Sequence, residues 1–127
     1  MSADDRRPPQ PAQPTVPLAG DEVVELCQEL IRFDTSNYGD GSGPGERAVA
    51  ERVAELLDEV GIEARIHESG PGRSNVVAHW GGDGSRSERL LLHGHLDVVP
   101  AEAADWSVDP FAGEVKDGFV WGRGAVD

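Results

Sequence analysis

The chain has one cysteine, Cys27, in 127 residues, which excludes an internal disulfide. Cations are also scarce: 11 Lys and Arg stand against 24 Asp and Glu, a net charge of -13. Nucleic acid is recognised through a basic patch, which so few scattered cations do not supply, so no nucleic-acid partner is expected. Acidity by itself names no partner, and the carboxylates read as solvated helix faces and turns. No apolar run approaches the ~18 residues that a membrane-spanning helix needs. Residues 1–20 contain no apolar segment like that of a signal peptide. A cytoplasmic protein with no membrane association is therefore expected.

The length suits one modest domain, and a hydrophobic fraction of 38% suits a globular core. Residues 1–17, MSADDRRPPQPAQPTVP, hold most of the nine prolines and show no apolar periodicity. A disordered, proline-rich leader is expected over residues 1–19, with the structured part over 20–127. From Asp21, a residue suited to capping, Val23, Leu26, Cys27, Leu30 and Ile31 recur at helical spacing, and the helix should end near Phe33. Cys27 then reads as core packing. After the turn-forming stretch DTSNYGDGSGPGE, a second helix carries Val49, Val53, Leu56, Leu57 and Val60, with Gly61 closing it.

Ile62, Ala64 and Ile66 alternate with Glu63, Arg65 and His67, as in a half-buried strand. Val76–Trp80 and Leu90–His93 read as two more strands. Asp117-Gly118 lies between two short segments, 114–116 and 119–121, and signals a hairpin. This order predicts an α/β fold with a mixed, largely parallel sheet flanked by helices. A sheet of this kind needs more covering helices than the chain supplies, so further sequence is expected after Asp127.

The stretch LLLHGHLDVVP, residues 90–100, runs from an apolar segment into two imidazoles and a carboxylate. On an extended strand His93, His95 and Asp97 share one face. In an open α/β sheet, ligands bind just beyond the carboxyl ends of such strands. Taken alone, His95 and Asp97 also fit an ordinary polar strand end.

HGHLDVVP (93–100), WSVDPF (106–111), the Asp117-Gly118 pair and GRGAVD (122–127) occur in the order and spacing of the zinc metallopeptidase and aminoacylase family. LIRFDTSN and the second helix also resemble the start of that family, so the likeness covers roughly residues 20–127. The resemblance implies the N-terminal part of a zinc-peptidase-like catalytic domain, with two zinc ions per complete site and cobalt as a possible substitute. It implies that His95 is a metal ligand and that Asp127 bridges both metals. Asp97 is implied to orient His95 by accepting its second N–H, while His93 matches no ligand and is expected to pack at a strand end or make a supporting hydrogen bond. Zinc suits such a set because it accepts imidazole nitrogen and carboxylate oxygen and leaves a position open for water. A pair of ions can activate a water and polarise a carbonyl.

The resemblance further implies hydrolysis of the amide bond of an N-acyl amino acid or short peptide, by a protein that forms a homodimer at full length. The family also needs a Glu-Glu pair and later acidic and histidine ligands, none of which is matched here. Two readings of the chain follow. One is a piece of a zinc-dependent amidohydrolase, truncated at the bridging aspartate and inactive alone; the other is a short, non-catalytic binding or structural module derived from that family. The stop inside a motif favours the first.

Overall fold

The computed structural model describes residues 19–85 and 88–127. The leader expected over 1–19 lies outside the described residues except for Ala19. Helix α1 spans Ala19–Ile31, and helix α2 spans Arg47–Glu59. Strands β1 (Ala64–Gly70) and β2 (Arg73–Ala78) follow, then a 3-10 turn at Ala103–Asp105, and β3 (Glu114–Lys116) and β4 (Phe119–Trp121).

Each helix ends for a local reason. At the end of α1 the bonds tighten, with Arg32 N–H donating to Glu29 O and Phe33 N–H to Leu30 O, both at 3.2 Å. At the end of α2, Gly61 adopts a φ of 77°. Its N–H donates to Asp58 O and the Ile62 N–H to Leu57 O, both at 2.8 Å, which satisfies two carbonyls the helix leaves open. Val49 and Ala50 of α2 are buried, and α2 packs across β1 and β2.

β1 and β2 form an antiparallel pair in which Ile66 lies opposite Val76. Ala64 and Ile66 are half-buried while Arg65 and His67 are exposed, the alternation expected of a strand with one covered face. β3 and β4 form a second antiparallel pair, with Val115 opposite Val120. Asp117 (φ 54°) and Gly118 (φ 81°) turn the chain between them. Two left-handed residues in succession make the turn whose twist matches a two-residue hairpin.

The α/β class stands, but the sheet arrangement corrects the expectation. Both sheets are antiparallel and two-stranded. Parallel pairing among the described residues is confined to one bridge, Ser36 with Val98. Leu90–His93 forms no strand, and Leu90, Leu91 and Leu92 are 85%, 81% and 82% exposed. An apolar run specifies burial, yet a strand also needs a neighbour to accept its backbone hydrogen bonds, and no described segment lies beside this one. The strand expected at Val76–Trp80 begins earlier, at Arg73, and leaves Trp80 outside it and 84% exposed.

α1 joins the β3–β4 region to the rest. Gln28 Nε2 donates to Gly113 O at 2.6 Å, and Arg32 Nε donates to Ala112 O at 3.1 Å. Arg52 of α2 forms an ion pair with Glu29 of α1 and reaches Glu55 and Glu59 at 3.3 Å. Cys27 is half-buried on α1.

Candidate metal centre

Residues 35–37 run beside residues 96–98, and this contact holds the HGHLD segment in place of a regular strand. The Thr35 hydroxyl donates to Leu96 O at 2.8 Å, Val98 N–H donates to Thr35 O at 3.2 Å, and Asn37 N–H donates to Val98 O at 2.8 Å. Thr35 is only 4% exposed, so these bonds are partly shielded from competing water. Ser36 N–H also donates to Asp34 Oδ1 at 3.0 Å, a local turn that aspartate favours.

From this anchored segment His95 projects onto an exposed rim. Its Nδ1 lies 2.7 Å from the Asp97 main-chain oxygen and 3.3 Å from Asp97 Oδ1. Its Nε2 lies 3.3 Å from Asp127 Oδ1. The fold thus brings the histidine of one motif to the aspartate of another across 32 positions. Asp127 is delivered by the turn after β4. Arg123 N–H donates to Pro110 O at 2.7 Å, and the Arg123 guanidinium stacks 5.1 Å over the Trp106 ring. Gly124 has a φ of 92°, and a Cβ there would sit 3.1 Å from Val98 Cγ1. A larger residue would push the GRGAVD turn away from the HGHLD segment.

The electrostatics follow from these contacts. The imidazole of His95 is held above its ordinary pKa, first by the hydrogen bond to the Asp97 carbonyl and then by Asp127. Asp97 is held below the usual carboxylate range, chiefly because it accepts a hydrogen bond from Asn37, with smaller help from His95 and Arg73. His95 thus sits between two acceptors, a place that suits a proton or a divalent cation.

His93 is exposed, which corrects its expected packing at a strand end. Trp106 and Phe111 are half-buried, whereas Trp121 is 37% exposed and donates its ring N–H to Lys116 O at 3.2 Å. No group of three or more His, Cys, Asp and Glu side chains arranged to hold a metal occurs among the described residues. His95 and Asp127 are a pair of donors.

Sequence reasoning missed three residues around Asp97. Asn37 Nδ2 donates to Asp97 Oδ2 at 2.7 Å. Arg73 Nη2 approaches the same oxygen at 3.5 Å and Glu46 Oε1 at 3.1 Å. Glu46 is 4% exposed and receives the Ser74 N–H at 3.3 Å through Oε2. A polar TSN triplet after an amphipathic helix was the available signal for Asn37; Arg73 and Glu46 carried none.

Residues 91–127 match the model of peptidase family M20/M25/M40. The chain is 38% identical over 107 residues to a succinyl-diaminopimelate desuccinylase of Cereibacter sphaeroides (strain ATCC 17025), a match covering 84% of this chain and 26% of that protein. It is 34% identical over 107 residues to the enzyme of that name from Wolbachia sp. subsp. Brugia malayi, covering 84% and 25%. A succinyl-diaminopimelate desuccinylase 2 of Ruegeria sp. is 38% identical over 109 residues, covering 84% and 25%. The chain spans about a quarter of the length of these curated relatives. The family resemblance drawn from the motifs is borne out.

Proposed function

We propose that this chain is part of an M20/M25/M40 metal-dependent amidohydrolase, and that it contributes His95 and the bridging Asp127 to a two-zinc site. The observation that carries this reading is the 3.3 Å approach of His95 Nε2 to Asp127 Oδ1, inside the segment that matches the family. The donor set fits zinc: an imidazole nitrogen and a carboxylate oxygen face one another, and the carboxylate has an oxygen for each of two ions. The imidazole is also oriented for the task. With Nδ1–H donated to the Asp97 carbonyl at 2.7 Å, the Nε2 lone pair is the one turned toward Asp127. Such ions, when bound, supply Lewis-acid polarisation of an amide carbonyl and lower the pKa of a water.

This chain's residues hold and orient; the general base and the remaining ligands come from elsewhere in the longer protein. The substrate is an N-acyl amino acid or a short peptide, cleaved at the amide bond. The names of the similar proteins favour a succinyl group on a diamino acid. We read the longer protein as a cytoplasmic homodimer, on the family resemblance alone.

Zinc per protomer, measured by elemental analysis after equilibration at fixed free zinc, tests the assignment in the longer protein. Asp127→Ala should lose zinc and activity, His95→Ala should weaken one ion, and His93→Gln should keep both. Loss of metal from His93→Gln with both ions retained by His95→Ala would refute the ligand assignment. A panel of N-succinyl, N-acetyl and dipeptide substrates then fixes the class, and an absence of zinc-dependent turnover on all of them would refute the activity.

A further inference from the structure

Asp97 has two carboxylate oxygens with different partners. Oδ1 lies 3.3 Å from His95 Nδ1, whereas Oδ2 receives the Asn37 side-chain amide at 2.7 Å and approaches Arg73 Nη2 at 3.5 Å. Neither Asn37 nor Arg73 belongs to the HGHLD segment. Asn37 is fixed at three points. Its N–H donates to Val98 O at 2.8 Å, its Oδ1 accepts the Gly39 N–H at 2.9 Å, and the remaining end, Nδ2, is thereby aimed at Asp97. The Gly39 bond settles which end of the amide is which, because a backbone N–H needs an oxygen.

We propose that Asn37 is a positioning residue for the metal centre. It pins the far oxygen of Asp97 and turns the near oxygen toward His95 Nδ1, beside the main-chain carbonyl that the Val98 N–H to Thr35 O bond already orients, and so helps hold His95 Nε2 toward Asp127. Arg73, tied to the buried Glu46, is a second and weaker anchor on the same oxygen. This inference rests on the reading of His95 as a zinc ligand.

A double-mutant cycle on zinc affinity tests it, with metal-free full-length protein and a competing chelating indicator. Asn37→Ser keeps a hydroxyl for the Gly39 N–H but no longer reaches Asp97. It should weaken zinc about tenfold, the lower end for loss of a group supporting a metal-bound histidine. Asp97→Ala should weaken zinc at least as much, and the double variant should match Asp97→Ala within about twofold, because Asn37 acts through Asp97. The unfolding midpoint of each metal-free variant is measured alongside. A lower midpoint with unchanged zinc affinity in Asn37→Ser would overturn the proposal, as would losses that multiply in the double variant. His95→Ala separates the two inferences. If it weakens zinc while Asn37→Ser does not, only the positioning role fails; if it leaves zinc affinity unchanged, the metal reading fails and takes this proposal with it.

Discussion

Gly45 and Gly61 offer a matched pair for measuring what a close backbone approach costs. Their φ angles are 76° and 77°, so replacing either with alanine imposes the same left-handed strain, about 1–2 kcal/mol. The entropy that alanine removes from the unfolded chain is also the same and cancels in the comparison. Their surroundings differ. A Cβ on Gly61 meets nothing within 4 Å, whereas one on Gly45 would lie 2.5 Å from Gly72 O and 3.0 Å from its carbonyl carbon. Backbone, not a flexible side-chain tip, must then move. The first bond lost is Glu46 N–H to Gly72 O, now 2.8 Å, and Glu46 is buried. Orphaning a buried donor costs about 1–3 kcal/mol, so Gly45→Ala should destabilise by that much more than Gly61→Ala. Urea denaturation followed by helical circular dichroism gives both values from midpoint and slope. Equal losses, within about 0.5 kcal/mol, would refute the role given to the Gly45–Gly72 contact.

Three other outcomes are expected. Glu29 is held below its ordinary pKa of 4.5, mainly by the hydrogen bond from Arg52. Stability from this pair is complete above pH 4.5 and is lost as pH falls through the lower folded-state value, so Arg52→Met should flatten that acid limb in melts recorded against pH. The 127-residue chain alone should hydrolyse no N-acyl amino acid or dipeptide; zinc-dependent turnover by purified chain, free of contaminating enzyme, would contradict this. With Leu90, Leu91 and Leu92 more than four-fifths exposed, the isolated chain should bind an apolar fluorescent dye, and Leu91→Lys should reduce that binding.

Local chemistry was legible in the sequence wherever it was sufficient. Asp117-Gly118 announced its hairpin because both residues tolerate positive φ, and Gly61 announced the end of α2 for the same reason. The helices followed from apolar spacing, although α1 starts at Ala19 and not at Asp21. Leu90–His93 was misread as a strand because hydrophobicity reports a wish for burial and not the presence of a partner strand. At the site, His95, Asp97 and Asp127 were visible through motif order. Asn37 was not, since its bond to Asp97 spans 60 positions and leaves no periodic trace. Arg73 and Glu46 were hidden likewise, their pairing set by how the β1–β2 hairpin meets the start of α2.

The bridge between Ser36 and Val98 has a kinetic consequence. The β1–β2 and β3–β4 turns join residues close in sequence, and α2 packs on the hairpin that directly follows it. The Thr35–Leu96 bond instead closes a span of 61 residues, and closing a long span costs chain entropy before any contact repays it. Local pieces therefore assemble early and the seam between 35–37 and 96–98 comes late. His95 faces Asp127 only once that seam has closed. On the proposed reading of His95 and Asp127 as metal ligands, capture of zinc during refolding should trail the recovery of helix, and zinc already present should act as a latch on the last step.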